Sequence, residues 1–534
     1  MWKSTVELFF LLLLQSSSAL RILIVGTNIG YSHLGFTGQL ADVLVKAGHE
    51  VDFLIPMLTN AVNSNGTKLA RVKRLKLSAT DQIEAMIFGL AAWSDAFEAN
   101  MDAKDWAGVD NIFSLYCESM LSDNALIDEL KAANYEVAMA ENFDSCGFAL
   151  FHHLQVPSTH ILSAIPLDET IATINGISID FTNRAVMFNA KQFTPIETSY
   201  ERLRNTWEFL DWRFRRFPKS VEIMTSSIRR VFGSQFPSIV ELLRAVDYVW
   251  LNTNEQLEQP RALSSKIKSI GGIAVKKSGG LTEEMERLLN NSTEGAVLVS
   301  FGSIVDTTQM NTKLRDQFLE AFSRFPGFQF VWKVTRIDES LQSALKKHPN
   351  VRAVEWMDQS GILEHANTRA FITHGGLNSI NEAATFGVPL ITIPFFGDQH
   401  INSAAVVSRG LAVALDRRRI SADSVASALT RVLRSSKFEL TAKDVKRKIA
   451  SAPISPSELF VRHVEFAAQH GGLRELQLPA ASQSLWRQLS LDVWLTLLSG
   501  LVLLSLISLW SLRVALNFVT NQLRRVSVDK KKCD

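Results

Sequence analysis

Short apolar runs alternate with longer amphipathic stretches along most of the chain. The first run, residues 21–26, ends in Gly26 and is followed by a loop at 27–34, a helical stretch to Ala47 and a second apolar run at 50–55. A continuous apolar run that ends in glycine is typical of a strand buried on both faces of a parallel sheet. The pattern therefore predicts a βαβ unit at the start of the chain.

Further strands are predicted in two successive sets. The first set adds 135–140, 158–162 and 249–252, and the second comprises 296–301, 328–334, 351–354, 370–373, 389–393 and 411–415, with a helix at 311–325. Two runs of strand–helix alternation predict an α/β protein with two doubly wound domains. In such domains ligands bind in the crevice at the carboxyl ends of the strands.

Residues 194–236 depart from this pattern. They are rich in Phe, Trp and Arg and lack a clean period. We expect them either to form an amphipathic surface that meets an acceptor or a membrane, or to pack as helices in a core.

The two ends of the chain carry apolar segments of a different kind. A leucine-rich block at 8–14, followed by the small residues Ser17 and Ala19, predicts a secretory signal over residues 1–19. Residues 493–512 carry no charge, and this stretch is long enough to span about 30 Å of hydrocarbon as a helix. The basic excess in residues 513–534 predicts a single-pass type I protein with a cytosolic tail and a luminal body.

Short signals agree with this topology. Lys531 and Lys532 stand at the spacing of the dilysine signal of endoplasmic reticulum membrane proteins, with a solvated charge run as the alternative. Glycosylation sequons begin at Asn65, Asn290 and Asn291. We therefore expect a glycoprotein of the endoplasmic reticulum membrane.

Composition and cysteine count exclude several classes of function. The 56 basic and 54 acidic residues nearly cancel, so the chain lacks the basic excess that nucleic-acid binding requires. Three cysteines are too few for a disulfide scaffold, and a bridge between Cys117 and Cys146 stays open. The sequence contains no Asp-X-Asp pair and no ligand-type spacing of Cys and His, so no metal site is expected.

The densest chemical signal lies between Trp356 and Gln399. Its centre, His374-Gly375-Gly376, falls between a predicted strand and a predicted helix that begins near Leu377. Glycine lets an anion approach the backbone, and a helix N-terminus offers unpaired N–H donors and the positive end of a dipole. Alone, these three residues are more typical of a structural turn than of a phosphate site.

Together with its flanks, this stretch resembles the signature of the UDP-glycosyltransferases, the family that includes the UDP-glucuronosyltransferases. The resemblance covers essentially the whole chain, with further short matches at 251–253, 257–261, 271–272 and 301–303. It implies the GT-B fold, in which two Rossmann-like domains face a cleft. The expected order is the signal at 1–19, an acceptor-binding domain at 20–275, a UDP-sugar-binding domain at 283–450, a helical membrane-proximal segment at 451–492, the transmembrane helix at 493–512 and the tail at 513–534.

The resemblance also implies roles for residues of the second domain. Trp356 would stack on the uracil ring, Gln359 would contact the nucleoside, and Glu382 would accept hydrogen bonds from the ribose. A core position for Trp356 and a solvated helix face for Glu382 are the alternatives. The diphosphate would be held by Ser303, His374, Gly376 and Asn378, and the sugar hydroxyls by Asp398 and Gln399.

His33, in the loop after the first strand, is the candidate general base. The unperturbed pKa of histidine, about 6.5, suits proton removal near neutrality, and the family has its catalytic histidine at this position. A carboxylate would orient the ring and stabilise the imidazolium. Many relatives have aspartate where this chain has Glu141, and Asp144 follows three residues later. Either can partner His33, with position in the resemblance favouring Glu141, and helix N-capping is the alternative role, favoured for Asp144.

These expectations describe a luminal, membrane-anchored, inverting glycosyltransferase. It would move glucuronic acid, glucose or another hexose from a UDP-sugar to a small lipophilic acceptor, without a metal or other cofactor. Its partners would be these two substrates and a membrane, with no nucleic acid, and the sequence leaves homo- or hetero-oligomers open. The alternative is a UDP-sugar-binding regulatory protein without catalytic activity.

Overall fold

The computed structural model describes residues 19–90, 96–97, 103–182, 184–187, 198–275 and 278–530. The expected signal up to Ser18 and the terminal Lys531 and Lys532 therefore lie outside the described residues. The chain divides after Gln477 into a larger and a smaller unit.

A seven-stranded parallel sheet forms the first half of the larger unit. Its strands are β1 (Arg21–Val25), β2 (Glu50–Met57), β3 (Arg71–Lys76), β4 (Val137–Glu141), β5 (Ser158–Ser163), β6 (Tyr248–Leu251) and β7 (Ile267–Ser269), in the spatial order β3-β2-β1-β4-β5-β6-β7. Residues 22–25 of β1 are fully buried, as expected for a central strand covered by helices on both faces.

Residues 295–414 form a second parallel sheet, of six strands. They are β8 (Gly295–Ser300), β9 (Phe328–Lys333), β10 (Val351–Val354), β11 (Thr368–Thr373), β12 (Leu390–Thr392) and β13 (Ala412–Ala414), in the order β10-β9-β8-β11-β12-β13. Two parallel sheets with interleaved helices confirm the predicted α/β architecture.

Helices connect the strands and cover the sheets. In the first half they are α1 (Tyr31–Lys46), α2 (Thr80–Phe88), α3 (Ala103–Leu121), α4 (Asn124–Ala132), α5 (Ser145–His153), α6 (Glu169–Ile174), α7 (Ser199–Asp211), α8 (Phe217–Phe232) and α9 (Ile239–Ala245), with a π-helical turn at Trp212–Arg216 between α7 and α8. In the second half they are α10 (Glu283–Asn290), α11 (Thr312–Ser323), α12 (Glu339–Leu345), α13 (Gln359–Glu364), α14 (Leu377–Phe386), α15 (Gln399–Ser408), α16 (Ala422–Leu433), α17 (Ser436–Ala450) and α18 (Pro456–His470). A disulfide between Cys117 and Cys146 joins α3 to α5.

Each sheet has one place where the strand order reverses. In the first sheet this place lies between β1 and β4, where Val25 pairs with Ala140. In the second it lies between β8 and β11, where Ser300 pairs with Thr373. Connections leave such a point in opposite directions and open a crevice outside the carboxyl ends of the two strands. The segments that follow these four strands are therefore placed to line a binding cleft.

The helix α18 returns to the core of the first sheet. Phe460, Val464 and Ala467 are fully buried in the cluster that contains Ile22 and Trp250. The ring centroids of Trp250 and Phe460 are 4.8 Å apart. This contact attaches the chain beyond the second sheet to the first one.

Two edge strands were not expected from the sequence. β3 carries four basic residues over six positions, and β7 has only three residues. Lys and Arg on an edge strand prevent pairing with other chains, and an exposed edge does not need the continuous apolar run of a buried strand. The pattern that identified the central strands therefore could not find these two.

The expected loop at 27–34 is too long, and this prediction is wrong. Gly30 is extended and forms the N-cap of α1, which begins at Tyr31. No glycine or proline interrupts the chain between Tyr31 and Leu34, so the helix starts as soon as Gly30 has made the turn. His33 therefore lies in the first helical turn.

The smaller unit contains α19 (Leu485–Gln488) and α20 (Leu491–Lys530). Within α20, Leu491–Arg524 has a hydropathy of 2.1 in its most apolar window, and none of that window is buried. Among the described residues it is the one helix long and apolar enough to cross a membrane. It contains the predicted span at 493–512.

Candidate active site

His33 and Glu141 meet at the reversal point of the first sheet. His33 lies in the first turn of α1, just beyond β1, and Glu141 is the last residue of the neighbouring β4. Nδ1 of His33 is 2.5 Å from Oε1 of Glu141. The Glu141 side chain is fully buried, whereas 16% of the His33 side chain is exposed.

This contact determines which nitrogen of His33 carries the proton. A carboxylate only accepts hydrogen bonds, so Nδ1–H donates to Glu141 and the lone pair of Nε2 stays available for another proton. The backbone N–H of Ala164 donates to the same carboxylate oxygen at 3.3 Å. Phe143 packs edge-on against the imidazole, with ring centroids 5.5 Å apart. The carboxylate of Glu141 and the ring of Phe143 therefore fix the orientation of the His33 imidazole.

The surroundings raise the pKa of His33 above its ordinary value. Burial acts to lower this pKa, but the charge of Glu141, its hydrogen bond to the ring and the charge of Asp398 together outweigh burial. Burial also raises the pKa of Asp398, against a hydrogen bond from Asn402 and the charge of His33. An imidazolium that forms here by proton uptake is therefore stabilised by carboxylates.

Asp144, the other candidate partner of His33, contacts different groups. Its carboxylate accepts a hydrogen bond from the backbone N–H of Gly147 at 2.9 Å, which caps α5, and one from the Tyr116 hydroxyl at 2.9 Å. Burial raises the pKa of Asp144 to about 6. The shorter carboxylate thus has the capping role, and the longer Glu141 reaches the histidine.

Opposite this pair, glycine turns of the second sheet enclose His374. Gly302 follows β8 and Gly375 follows β11, and both have a φ of +83°, a conformation that favours glycine. A Cβ atom at Gly302 or at Gly376 would collide with the imidazole of His374. Glycine is therefore required at these turns, and no side chain of their own covers the backbone at the second reversal point.

The helix α14 begins at this bare turn. Gly376 is its N-cap, and no side chain caps the helix. The unpaired N–H groups of a first turn and the positive end of the helix dipole suit an anion. The geometry of the turn is therefore that of an anion site.

Lys333, at the end of β9, adds a positive charge to the same region. Its Nζ donates to the carbonyl of Gly302 at 3.1 Å. Burial, and after it the charge of Lys333, lowers the pKa of His374 to about 4. His374 is therefore neutral at pH 7 and can act there as a hydrogen-bond donor or acceptor, not as a cation.

Trp356 is exposed at the cleft. Its side chain is 69% exposed, so the core position considered from the sequence is wrong. The ring of Tyr31 meets the indole edge-on, with centroids 6.1 Å apart, and Nζ of Lys333 lies 5.3 Å from the indole centroid. An exposed indole beside a ring and a cation can stack on a flat ligand.

Gln359 and Glu382 contact each other on one wall of the cleft. The amide of Gln359 donates to the carboxylate of Glu382 and, at 3.2 Å, to the hydroxyl of Ser379. The hydroxyl of Ser360 donates to the other oxygen of Glu382 at 3.0 Å. These contacts orient a half-buried carboxylate, so Glu382 does not lie on a freely solvated helix face.

Asp398 and Gln399 lie at the start of α15. The Asp398 carboxylate accepts a hydrogen bond from Asn402 at 2.6 Å. The side-chain oxygen of Gln399 accepts from the backbone N–H groups of Phe395 at 2.8 Å and Phe396 at 3.2 Å. Both side chains are therefore positioned by contacts within their own loop and helix.

Asn378 makes contacts that connect the two halves of the cleft. Its Oδ1 accepts from Nδ2 of Asn252 at 2.6 Å, and its Nδ2 donates to the carbonyl of Ser32 at 3.2 Å. Asn381 donates to the backbone carbonyl of Asn252 at 2.9 Å. These amides join the first turn of α14 to the turn of α1 that carries His33. We call them the amide bridge.

His33, His374, Trp356 and Asp398 border a single cleft of about 1560 Å³. Of the residues predicted from the sequence, it is lined by His33, Ser303, Trp356, Gln359, His374, Gly376, Asn378, Glu382, Asp398 and Gln399. Glu141 contacts His33, and Asp144 does not join them. Within the described ranges, no group of three or more His, Cys, Asp or Glu residues suits a metal ion.

Sequence reasoning did not single out Lys333, Tyr31 or Asn252 as site residues. A signal existed for two of them, because Lys333 ends β9 and Asn252 directly follows β6, and the carboxyl ends of parallel strands border the crevice. The contact of Tyr31 with Trp356 joins distant segments, and no local pattern reveals it. The predicted glycosylation residues Asn65, Asn290 and Asn291 are all exposed, and their modification stays a prediction.

The pairing of His33 with Glu141 predicts how the histidine titrates. In Glu141→Gln the attraction between the imidazolium and the carboxylate is lost, so we expect the pKa of His33 to fall. NMR of histidine-labelled protein in detergent measures this pKa directly. Asp144→Asn is the matched control and should leave the His33 pKa nearly unchanged, since asparagine can still cap α5. A larger shift in Asp144→Asn than in Glu141→Gln would contradict the assignment.

The chain resembles known sequences over nearly its whole length. The profile of the family described as UDP-glucoronosyl and UDP-glucosyl transferase matches residues 21–526. Human UDP-glucuronosyltransferase 3A1 is 26% identical over 539 residues, which cover 96% of each chain. The 2-hydroxyacylsphingosine 1-beta-galactosyltransferase of Mus musculus is 25% identical, over 93% of this chain and 89% of its own.

Solved structures share the fold. The glycotransferase of kitacinnamycin matches with a TM-score of 0.59 and 18% identity, over 85% of this chain and 100% of its own. UGT2 of Phytolacca americana, solved with UDP-2fluoro-glucose and pterostilbene, has a TM-score of 0.57 and 16% identity, over 84% of this chain and 99% of its own. The GT-B fold expected from the sequence is thus confirmed. Since the family profile covers nearly the whole chain, this protein belongs to the UDP-glucoronosyl and UDP-glucosyl transferase family.

Proposed function

We propose that this protein transfers a hexosyl group from a UDP-sugar to a hydroxyl or similar nucleophile of a small lipophilic acceptor, with inversion and release of UDP. The observation that carries the proposal is the pairing of His33 with Glu141 across one cleft from the uncapped N-terminus of α14. A base and an anion site that share a cleft are the two parts that this displacement requires.

The donor binds along the second sheet. The uracil stacks on Trp356, next to Gln359, and the oriented carboxylate of Glu382 accepts hydrogen bonds from the ribose hydroxyls. Asp398 and Gln399 bind the hydroxyls of the sugar. The exposure of Trp356 supports the first assignment, and the fixed orientation of Glu382 supports the second.

The diphosphate binds at the start of α14. The N–H groups around Gly376, the neutral His374, the hydroxyl of Ser303 and the charge of Lys333 stabilise the negative charge that grows on the departing UDP. We propose that these groups are sufficient and that no metal or other cofactor takes part. The bare glycine turn supports this arrangement, since a phosphoryl oxygen can approach the backbone there.

His33 acts as the general base. Its Nε2 takes the proton of the acceptor hydroxyl while the acceptor oxygen forms a bond to the anomeric carbon. The bond from that carbon to the UDP oxygen breaks, and its electron pair leaves with UDP. Glu141 stabilises the resulting imidazolium. A single in-line displacement of this kind inverts the anomeric centre.

The acceptor enters from the side of Phe143. Beyond Phe143 lies a second cavity, of about 240 Å³, lined largely by apolar and aromatic side chains such as Trp106, Phe113, Ile174 and Trp212. Such a cavity accommodates a lipophilic group and leaves a hydroxyl beside the imidazole. The cavity therefore supports a small lipophilic acceptor.

We further propose that the catalytic part is luminal in the endoplasmic reticulum, with α20 as a single type I anchor. The disulfide between Cys117 and Cys146 supports an oxidising compartment. The exposed sequon residues Asn65, Asn290 and Asn291 support the same side of the membrane.

Transfer should depend on His33 and not on added metal. We expect His33→Ala to lower kcat by about 10²- to 10⁴-fold, the usual contribution of a general base, while UDP affinity stays close to that of the parent. The full chain in detergent is mixed with a panel of UDP-sugars and a generic phenol, and conjugate mass identifies the product and the donor. His470→Ala, an exposed histidine of α18, is the control and should keep full activity. A chelator should not lower turnover.

Two results would contradict this proposal. Unchanged turnover in His33→Ala would remove the proposed base. Tight UDP binding by the parent, with no conjugate from any donor and acceptor tested, would favour the regulatory alternative.

The amide bridge should matter for transfer more than for donor binding. Asn252→Ala removes a hydrogen bond to Asn378 and the side-chain acceptor that faces Asn381. We expect kcat to fall about tenfold, because the lost hydrogen bond contributes about 1 kcal/mol or slightly more. The KM for the donor should change little. Asn254→Ala is the control, because its hydrogen bonds run to Gln256 and Gly271. Equal effects of the two variants would show that the bridge does not position His33.

A further inference from the structure

Residues 199–216 form a continuous helical segment, α7 and the π-turn after it, and one of its faces is buried. Asn205, Phe209 and Trp212 point into the first half of the larger unit. Phe209 stacks on Phe181 there, with ring centroids 4.5 Å apart. This buried face therefore makes the contacts by which the segment packs against the rest of the fold.

The opposite face carries a second apolar row. Its members recur at intervals of three and four residues, which brings them to one side of a helix. They are largely exposed: Tyr200 (73%), Leu203 (70%), Trp207 (73%), Leu210 (38%) and Phe214 (62%). We call this row the 200–214 stripe. Single exposed apolar residues are common, but a contiguous row of large ones marks an interaction surface.

Arginines border the 200–214 stripe. Arg204 follows Leu203, and Arg213 and Arg215 flank Phe214. The guanidinium of Arg213 lies 5.9 Å from the centroid of the Phe214 ring. Arg204 pairs with Glu208 at 3.8 Å and Arg215 with Asp211 at 2.6 Å. Residues 198–220 nevertheless contain six basic residues against three acidic ones, so the segment that carries the stripe keeps a net positive charge.

This composition distinguishes between two kinds of partner. A second copy of the chain would bring an identical stripe with the same positive surroundings, and like charges oppose such a contact. Phospholipid headgroups carry phosphates, and an aromatic and apolar row bordered by arginines is typical of a helix that lies in the plane of a membrane interface. The chain also carries a helix of membrane-spanning length.

We propose that the 200–214 stripe lies in the interface of a phospholipid bilayer. The aromatic and leucine side chains enter the boundary between headgroups and acyl chains, and the bordering arginines contact headgroup phosphates. The proposal does not depend on catalysis by His33. Trp212 and Arg215 of the same segment line the cavity behind Phe143. Lipophilic molecules dissolved in the bilayer would be delivered next to that cavity.

A fluorescent label on the stripe tests the contact with lipid. Cys533→Ser removes the remaining free thiol, because the sequence has three cysteines and Cys117 and Cys146 are joined. In this background Trp207→Cys carries the label, and Leu440→Cys is the control, since Leu440 is an equally apolar residue of α17 that is 63% exposed. The full chain is placed at one copy per nanodisc of phosphatidylcholine and phosphatidylserine, with or without a lipid that carries a nitroxide quencher near its headgroup.

We expect the label at position 207 to be quenched several-fold more strongly than the label at position 440. Equal quenching at the two positions would overturn the proposal. Shielding of position 207 from aqueous iodide only in discs that hold two copies, without quenching by the nitroxide lipid, would also overturn it and assign the stripe to a second copy. Circular dichroism melting checks that each variant is folded, and Tyr200→Cys replaces Trp207→Cys if that variant does not fold.

Discussion

The strand order reverses at one point in each sheet, and these two reversals open the cleft that the candidate site lines. Between β1 and β4, and again between β8 and β11, connections leave in opposite directions and cannot cover the strand ends. The first gap holds His33 and Glu141, and the second holds His374 and the glycine turn before α14. Two gaps that border one cleft bring a histidine paired with a carboxylate and an uncapped helix start to the same space.

The electrostatics of the two sides are opposite, and this difference suits the proposed reaction. Glu141 of the first side, together with Asp398 from the second, raises the pKa of His33 against the effect of burial, so positive charge is stabilised at this histidine. On the second side the dipole of α14 and Lys333 stabilise negative charge, while His374 stays neutral because burial lowers its pKa to about 4. During the proposed displacement, positive charge would form at His33 and negative charge on the departing UDP. Groups of the opposite charge lie next to each of these places. The amide bridge from Asn252 to Asn378 holds these two sides together.

Much of the fold could be predicted from the sequence because its central strands are buried on both faces. Runs such as 22–25 have no polar position, so the sequence alone identifies them as buried strands. β3 does not, since an edge strand needs charge instead of apolar continuity. The predicted loop at 27–34 extends too far because Gly30 is the extended N-cap of α1, and a glycine in this position does not by itself distinguish a loop from a helix start.

The residues of the candidate site also fall into two groups, those that the sequence indicates and those that it does not. Residues within the stretch from Trp356 to Gln399 could be found because their order along the chain resembles a family signature. The local pattern of a glycine turn before a helix pointed only to residues 374–376, and only weakly. Position in the resemblance favoured Glu141 over Asp144 but could not decide between them, since both are carboxylates near the end of β4. Only the register of β1 against β4 brings Glu141 to His33. The contact of Tyr31 with Trp356 is equally non-local.

A crystal structure of the chain with UDP and an acceptor phenol bound together would show whether the two sides of the cleft act in one reaction. We expect the diphosphate within hydrogen-bonding distance of the N–H groups at Gly376 and Leu377, and the phenol oxygen at Nε2 of His33. A diphosphate bound away from the start of α14, or an acceptor oxygen out of reach of His33, would contradict the proposed reaction.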